Sequence, residues 1–144
     1  MSRLAQTLAR ERIVLTSTKN EKIEEFRSQG FAAEIVNIRD QNSLESLFLK
    51  YPALNTVIDS VPPEFSSGSF EEKDVKPAIG GSKNLVNLLN EYSSSTRLLY
   101  LSTSGVYGGQ DGSLVDETSK CLPNNPRGRA RLEVENIYKE LGNG

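Results

Sequence analysis

Side chains able to do acid–base or nucleophilic chemistry are few in this sequence, and their spacing narrows them further. No histidine occurs in the 144 residues, which removes every mechanism that uses imidazole as base, acid or metal ligand. The single cysteine, Cys121, rules out an internal disulfide and reads as a lone loop thiol. Hydroxyls cluster at Ser102-Thr103-Ser104, directly after the apolar run Leu98 to Leu101, and Tyr107 follows closely. Downstream, Pro126-Arg127-Gly128-Arg129-Ala130-Arg131 sets Arg127 and Arg131 four residues apart. A guanidinium titrates above about pH 12, so it binds carboxylate or phosphate well but cannot act as general acid and base near neutrality. The same arginines also fit solvated positions at a helix start. Asp111 and the neighbours Asp116-Glu117 could suggest a paired-carboxylate site of the metal or glycosidase kind.

These residues need a scaffold, and the hydrophobic pattern supplies one by alternating between two periods. Strand-like runs occur at Arg12-Ile13-Val14-Leu15-Thr16, at Ala33 to Ile38, at Thr56-Val57-Ile58-Asp59 and at Arg97 to Leu101. Between them lie helical spacings. Leu4 and Leu8 with Ala5 and Ala9 make the face of a short first helix, and Glu21 to Gln29 puts Ile23 and Phe26 on one face with Gly30 as its left-handed stop. Asn42 or Ser43 can cap a helix carrying Leu44, Leu47, Phe48 and Leu49. Pro62-Pro63 ends the third strand, Glu64 to Asp74 reads as a mobile loop, and a helix from Pro77 to Asn90 buries Leu85, Val86, Leu88 and Leu89. After the loop Ser102 to Pro126, a helix from Arg131 to Leu141 ends before Gly142, with Glu133, Glu135, Lys139 and Glu140 on its solvated face. Strands alternating with helices mean parallel βαβ units, so the class is α/β.

Composition excludes several function classes. Seventeen basic and 19 acidic residues give a net charge of -2 with no run of one sign, which argues against nucleic acid as a partner. No apolar run approaches the roughly 20 residues that span a bilayer, so the expectation is a soluble protein without a membrane partner. The Arg-containing, acid-poor stretch Met1 to Arg12 has the flavour of an organelle transit peptide, but its apolar spacing continues into the fold. Cytoplasm and organelle interior both remain open, and the lone cysteine agrees with a reducing setting.

The segment Leu98-Leu99-Tyr100-Leu101-Ser102-Thr103-Ser104-Gly105-Val106-Tyr107-Gly108, followed by Val115-Asp116-Glu117, closely resembles the extended and atypical short-chain dehydrogenase/reductases of the epimerase/dehydratase type. Ile79-Gly80-Gly81-Ser82-Lys83-Asn84-Leu85 resembles that family's Gly-Thr-x-Asn-Leu helix. The resemblance covers nearly the whole chain and implies a Rossmann-like, doubly wound parallel sheet across residues 1–144 as a single partial NAD(P)-binding domain. It also implies site residues. Thr103 stands where the family polarises a substrate oxygen, with Ser104 and Tyr107 beside the substrate. Ser60 and Val61 stand where a strand meets the cofactor, and Asn37 and Ile38 in the stretch near adenine. The Asp116-Glu117 pair falls in a family loop.

Departures from the family pattern are equally specific. The family's Tyr-x-x-x-Lys pair has become Arg127 and Arg131, so the standard proton relay is absent, although Arg131 can still hydrogen-bond a ribose. Tyr107 could in principle replace the lost phenol, but a tyrosine there normally packs at the strand end. The chain also opens inside the family's first helix, without the preceding strand and G-x-G-x-x-G loop that bring backbone to a pyrophosphate. The missing strand is the central one, so either the Ile13 and Val57 strands pair directly or another segment or chain fills the slot. Thr18-Lys19 resembles the Thr-Arg of members that prefer the 2′-phosphorylated cofactor, which favours NADP over NAD; an ordinary exposed turn also fits. Three readings follow: an NAD(P)-dependent epimerase, dehydratase or reductase acting on a nucleotide-sugar or similar carbonyl substrate; a non-catalytic nucleotide-binding or scaffold protein; and an inactive fragment of a longer enzyme.

Overall fold

The computed structural model describes residues 12–63, 71, 73, 75–93, 95–109 and 112–141. The expected first helix at Leu4 and Leu8, most of the Glu64 to Asp74 loop, Asp111 and Gly142 lie outside these residues. The chain divides into two compact units, Met1–Tyr51 and Pro52–Gly144.

In the first unit, strand β1 (Val14–Ser17) leads into helix α1 (Asn20–Ser28), strand β2 (Ala32–Ile35) and helix α2 (Gln41–Lys50). The strands pair in parallel, Val14 opposite Ala32 through Ser17 opposite Ile35, and α1 is the crossover that parallel pairing requires. Gly30 takes the expected left-handed conformation (φ 84°). With it, the Phe31 N–H reaches back to Phe26 O (3.1 Å) and the Gly30 N–H to Arg27 O (2.9 Å), closing the helix end. Asp40 caps α2, accepting from the Asn42 and Ser43 N–H groups, where Asn42 or Ser43 was expected to cap. An aspartate preceding the helix satisfies two of its orphan donors at once, which leaves the Ser43 hydroxyl to accept from the Asn37 N–H (3.1 Å). Ile23, Phe31, Ala33, Val36, Leu44 and Phe48 form the core.

The second unit runs through strand β3 (Thr56–Asp59), the short helix α3 (Val75–Ala78), helix α4 (Gly80–Tyr92), strand β4 (Arg97–Tyr100), a 3-10 turn (Ser104–Tyr107) and helix α5 (Pro126–Lys139). β3 and β4 pair in parallel from Thr56 opposite Arg97 to Asp59 opposite Tyr100. The helix expected from Pro77 to Asn90 is two helices that meet at buried Ile79, and Val86 is only half-buried while Leu85, Leu88 and Leu89 are core. The last helix begins five residues earlier than expected. Asn125 caps it by accepting from the Gly128 N–H (2.9 Å), and Pro126 fits its first turn, where no backbone donor is needed. Buried Thr96 donates to Leu54 O (2.6 Å), holding the chain at the start of β4 beside the start of β3.

The class is α/β with parallel strands, and only part of a doubly wound sheet is present: among the described residues the ladders are β1–β2 within the first unit and β3–β4 within the second. No helix among the described residues is long and apolar enough to cross a membrane. Leu88 is 1% exposed. Leu88→Ala should therefore cost about 2–5 kcal/mol, read as a lowered urea midpoint with an unchanged slope.

Candidate functional site

Within the second unit, the turn after β4 and the start of α5 build a cleft. Thr103 is extended (φ -147°, ψ 150°), and its Oγ1 accepts from the Gly105 N–H (3.3 Å) as the cap of the 3-10 turn. The hydroxyl hydrogen stays available to a ligand oxygen. Pro62, Pro63, Thr103, Gly105, Asn125, Arg127, Gly128 and Arg131 line a cleft of about 400 Å³. That lies near the lower end for small-ligand sites and suits one ring and its polar substituents. Among the described residues that line it are two guanidinium groups and no carboxylate, so a ligand oxygen is met by donors.

Close approach of backbone makes this arrangement possible. A Cβ on Gly128 would stand 2.6 Å from the Gly105 carbonyl oxygen and 2.8 Å from Pro123 Cβ, so the first turn of α5 can lie against the Thr103 turn only with glycine there. Arg131, one turn after Arg127, is held in place: its Nη1 donates to the Tyr100 hydroxyl (2.8 Å) and to Leu101 O (3.0 Å). Burial pushes the Tyr100 phenol up, partly offset by Arg131, so it keeps its proton at neutral pH.

Behind the cleft, Asp59 is a buried carboxylate at the end of β3, 4% exposed. Its Oδ1 accepts from the Val61 N–H (2.8 Å) and its Oδ2 from the Tyr138 hydroxyl (2.5 Å). The Tyr138 ring meets Tyr100 edge-on, centroids 5.2 Å apart at 82°. Burial raises the Asp59 carboxyl, against the pull of Tyr138, Val61 and the Arg131 charge, while burial and the Asp59 charge raise Tyr138 strongly.

The structure thus brings Thr103, Arg127 and Arg131 to one cleft. Ser60 and Val61 lie on the turn leading to its Pro62–Pro63 wall, and exposed Ser104 and half-buried Tyr107 sit on the 3-10 turn without lining it. Thr18, Lys19, Asn37 and Ile38 belong to the first unit. Thr18, Lys19 and Asn37 are exposed there and Ile38 is half-buried. Asp116 is a turn-former: its Oδ1 accepts from the Thr118 N–H and hydroxyl and from the Ser119 hydroxyl, and these bonds lower its pKa.

Residues 2–143 match the NAD dependent epimerase/dehydratase family. The chain belongs to that family. UDP-glucose 4-epimerase 2 of Oryza sativa subsp. japonica is 28% identical over 120 residues, covering 79% of this chain and 28% of the rice protein. Among solved structures, the UDP-Glc/GlcNAc 4-epimerase of Campylobacter jejuni superimposes with a TM-score of 0.76 at 20% identity, covering 96% of this chain and 44% of that one. The UDP-glucose 4-epimerase of Stenotrophomonas maltophila, with bound NAD and a formylated UDP-arabinopyranose, gives 0.68 at 24% identity, covering 89% and 40%. The chain therefore spans less than half the length of these epimerase-family relatives.

Against the dinucleotide that the family name implies, the residues fit unevenly. The Thr103 cleft suits a ring with polar substituents, while Arg131 Nη1 is already engaged by Tyr100 and Leu101. The sequence reading missed Asn125, Gly128 and the Asp59–Tyr138 contact. Asn followed by Pro at a helix start was a usable sign for the first. A buried contact between residues 79 apart in sequence leaves none.

Gly128→Ala should cost about 1–3 kcal/mol through the clash with the Gly105 carbonyl and should shift the Thr103 amide resonance; an unchanged spectrum would contradict the packing described. For Asp59, the folded pKa lies above the unfolded value. Its contribution to stability is then full below the unfolded value and is lost as pH rises through the folded one. The stability of the protein relative to Asp59→Asn should move in its own favour as pH falls from about 7 towards 4 in urea titrations, whereas a pH-independent difference would count against a buried, raised carboxyl.

Proposed function

We propose that residues 1–144 act as a partial cofactor-binding domain of an NAD(P)-dependent epimerase, dehydratase or reductase, working on a carbonyl or alcohol of a nucleotide-sugar or similar substrate. The observation that carries this reading is the convergence of Thr103, Arg127 and Arg131 on one cleft in a chain of the epimerase/dehydratase family. The nicotinamide, when bound, supplies hydride transfer. Thr103 donates its hydroxyl hydrogen to the substrate oxygen, Arg127 adds a fixed positive charge beside it, and Arg131 buttresses the end of β4 through Leu101 O. Ser60, Val61, Asn37 and Ile38 contact the cofactor, Thr18 and Lys19 favour its 2′-phosphorylated form, and Ser104 and Tyr107 border the substrate. The rice relative and the bacterial structures, named for UDP-sugar epimerisation, support a nucleotide-sugar as the first substrate to try. A soluble setting in the cytoplasm or an organelle interior suits such a role.

A second reading, non-catalytic nucleotide binding, is favoured by one observation: guanidinium groups stand at both positions of the family's phenol–lysine relay. Turnover separates the two. With NADPH or NADH and a panel of UDP-sugars and their keto derivatives, Thr103→Val should lower kcat by about 10²–10³-fold, the loss typical of one oxyanion donor. Unchanged turnover in Thr103→Val would overturn its assignment, and cofactor binding without any turnover would favour the non-catalytic reading.

A further inference from the structure

We propose that Asp59 is a positioning residue for the Thr103 cleft, tying two of its walls to one buried carboxylate; the inference rests on the ligand-binding role given to that cleft above. The first tie is local. Asp59 Oδ1 accepts from the Val61 N–H (2.8 Å), fixing the chain direction one residue before Pro62 and Pro63, whose rings hold φ and carry that direction into the cleft wall. The second tie is remote. Asp59 Oδ2 accepts from the Tyr138 hydroxyl (2.5 Å) near the end of α5.

Tyr138 lies seven residues from Arg131, close to two helical turns, so both face the same side of α5 about 10 Å apart along its axis. Both also meet one side chain: the Tyr138 ring is edge-on to Tyr100, and Arg131 donates to the Tyr100 hydroxyl (2.8 Å). Fixing Tyr138 therefore sets the axial height and rotation of α5, and with them the places of Arg131 and Arg127. Cleft geometry of this kind is sensitive to displacements near 1 Å.

The test compares Tyr138→Phe, Asp59→Leu and Asp59→Asn in the full chain. Phenylalanine removes only the remote tie. Leucine removes both. Asparagine keeps both, because its carbonyl accepts from Val61 while its amide donates to the Tyr138 oxygen. The ligand-free readout is the arginine Nε–H region of the NMR spectrum, assigned for Arg127 and Arg131. Both signals should move in Tyr138→Phe and Asp59→Leu and return towards their original positions in Asp59→Asn.

The ligand readout is the Kd for NADP and NAD, or KM where turnover is found. It should rise about tenfold in Tyr138→Phe and Asp59→Leu and much less in Asp59→Asn. Arginine signals unmoved in Tyr138→Phe, a variant that keeps its ring packing, would overturn the positioning role whatever Asp59→Leu does to folding. Should the unaltered protein bind neither cofactor, the functional reading fails while the arginine signals still decide this one.

Discussion

A carboxylate taken out of water needs donors on both oxygens, and in the Pro52–Gly144 unit Asp59 draws them from two places at once. One is its own chain two residues on, and the other is a helix 79 residues away. The rest of the unit is arranged around this requirement. β3 must end where Asp59 can turn towards α5, the chain must leave β3 along a path set by Val61, and α5 must stand where Tyr138 reaches the carboxylate. Replacing one partner leaves the other group buried and unpaired, which costs more than the bond itself is worth. That asymmetry is why a single buried acid can organise elements so far apart in sequence.

Parallel pairing imposes the second constraint. β3 and β4 can lie side by side in parallel only through a crossover, and α4, with Leu85, Leu88 and Leu89 buried, is the crossover's packed part. Parallel order also sends both strands' carboxyl ends to the same edge, where ligands bind in open α/β sheets. Thr103 and Pro62–Pro63 lie just past those ends. The cleft is thus a consequence of strand direction, and glycine at Gly128 lets α5 close it. With Arg127 and Arg131 lining the cleft and a phenol on Tyr100 that holds its proton beside Arg131, the cleft is built from hydrogen-bond donors and fixed charge.

Much of this was legible in the sequence where one residue type has one physical meaning. Thr56 to Asp59 was readable as a strand because Pro62-Pro63 forbids its continuation, and α1 was readable to its end because Gly30 accepts the left-handed conformation. The beginning of α5 was not, since its first turn buries Gly128 and Ala130, residues too small to register in an apolar pattern that becomes visible only around Leu132 and Val134. The break between α3 and α4 hid in a similar way, behind a continuous helical spacing that Ile79 interrupts from the core side. Thr103, Arg127 and Arg131 could be chosen from motif spacing, but their meeting in one cleft depends on glycine contacts and on the Asp59–Tyr138 tie, which no local pattern encodes.

The decisive question is whether the proposed Thr103 cleft takes a dinucleotide cofactor. An amide nitrogen–proton NMR titration of the 144-residue protein with NADP and, separately, NAD up to millimolar concentration tests it most directly. The expected result is dispersed resonances with saturable shifts at Thr103, Gly105 and Gly128, and larger ones at Thr18 and Lys19 for NADP than for NAD. A dispersed spectrum in which neither cofactor moves the Thr103 and Gly128 signals would contradict it.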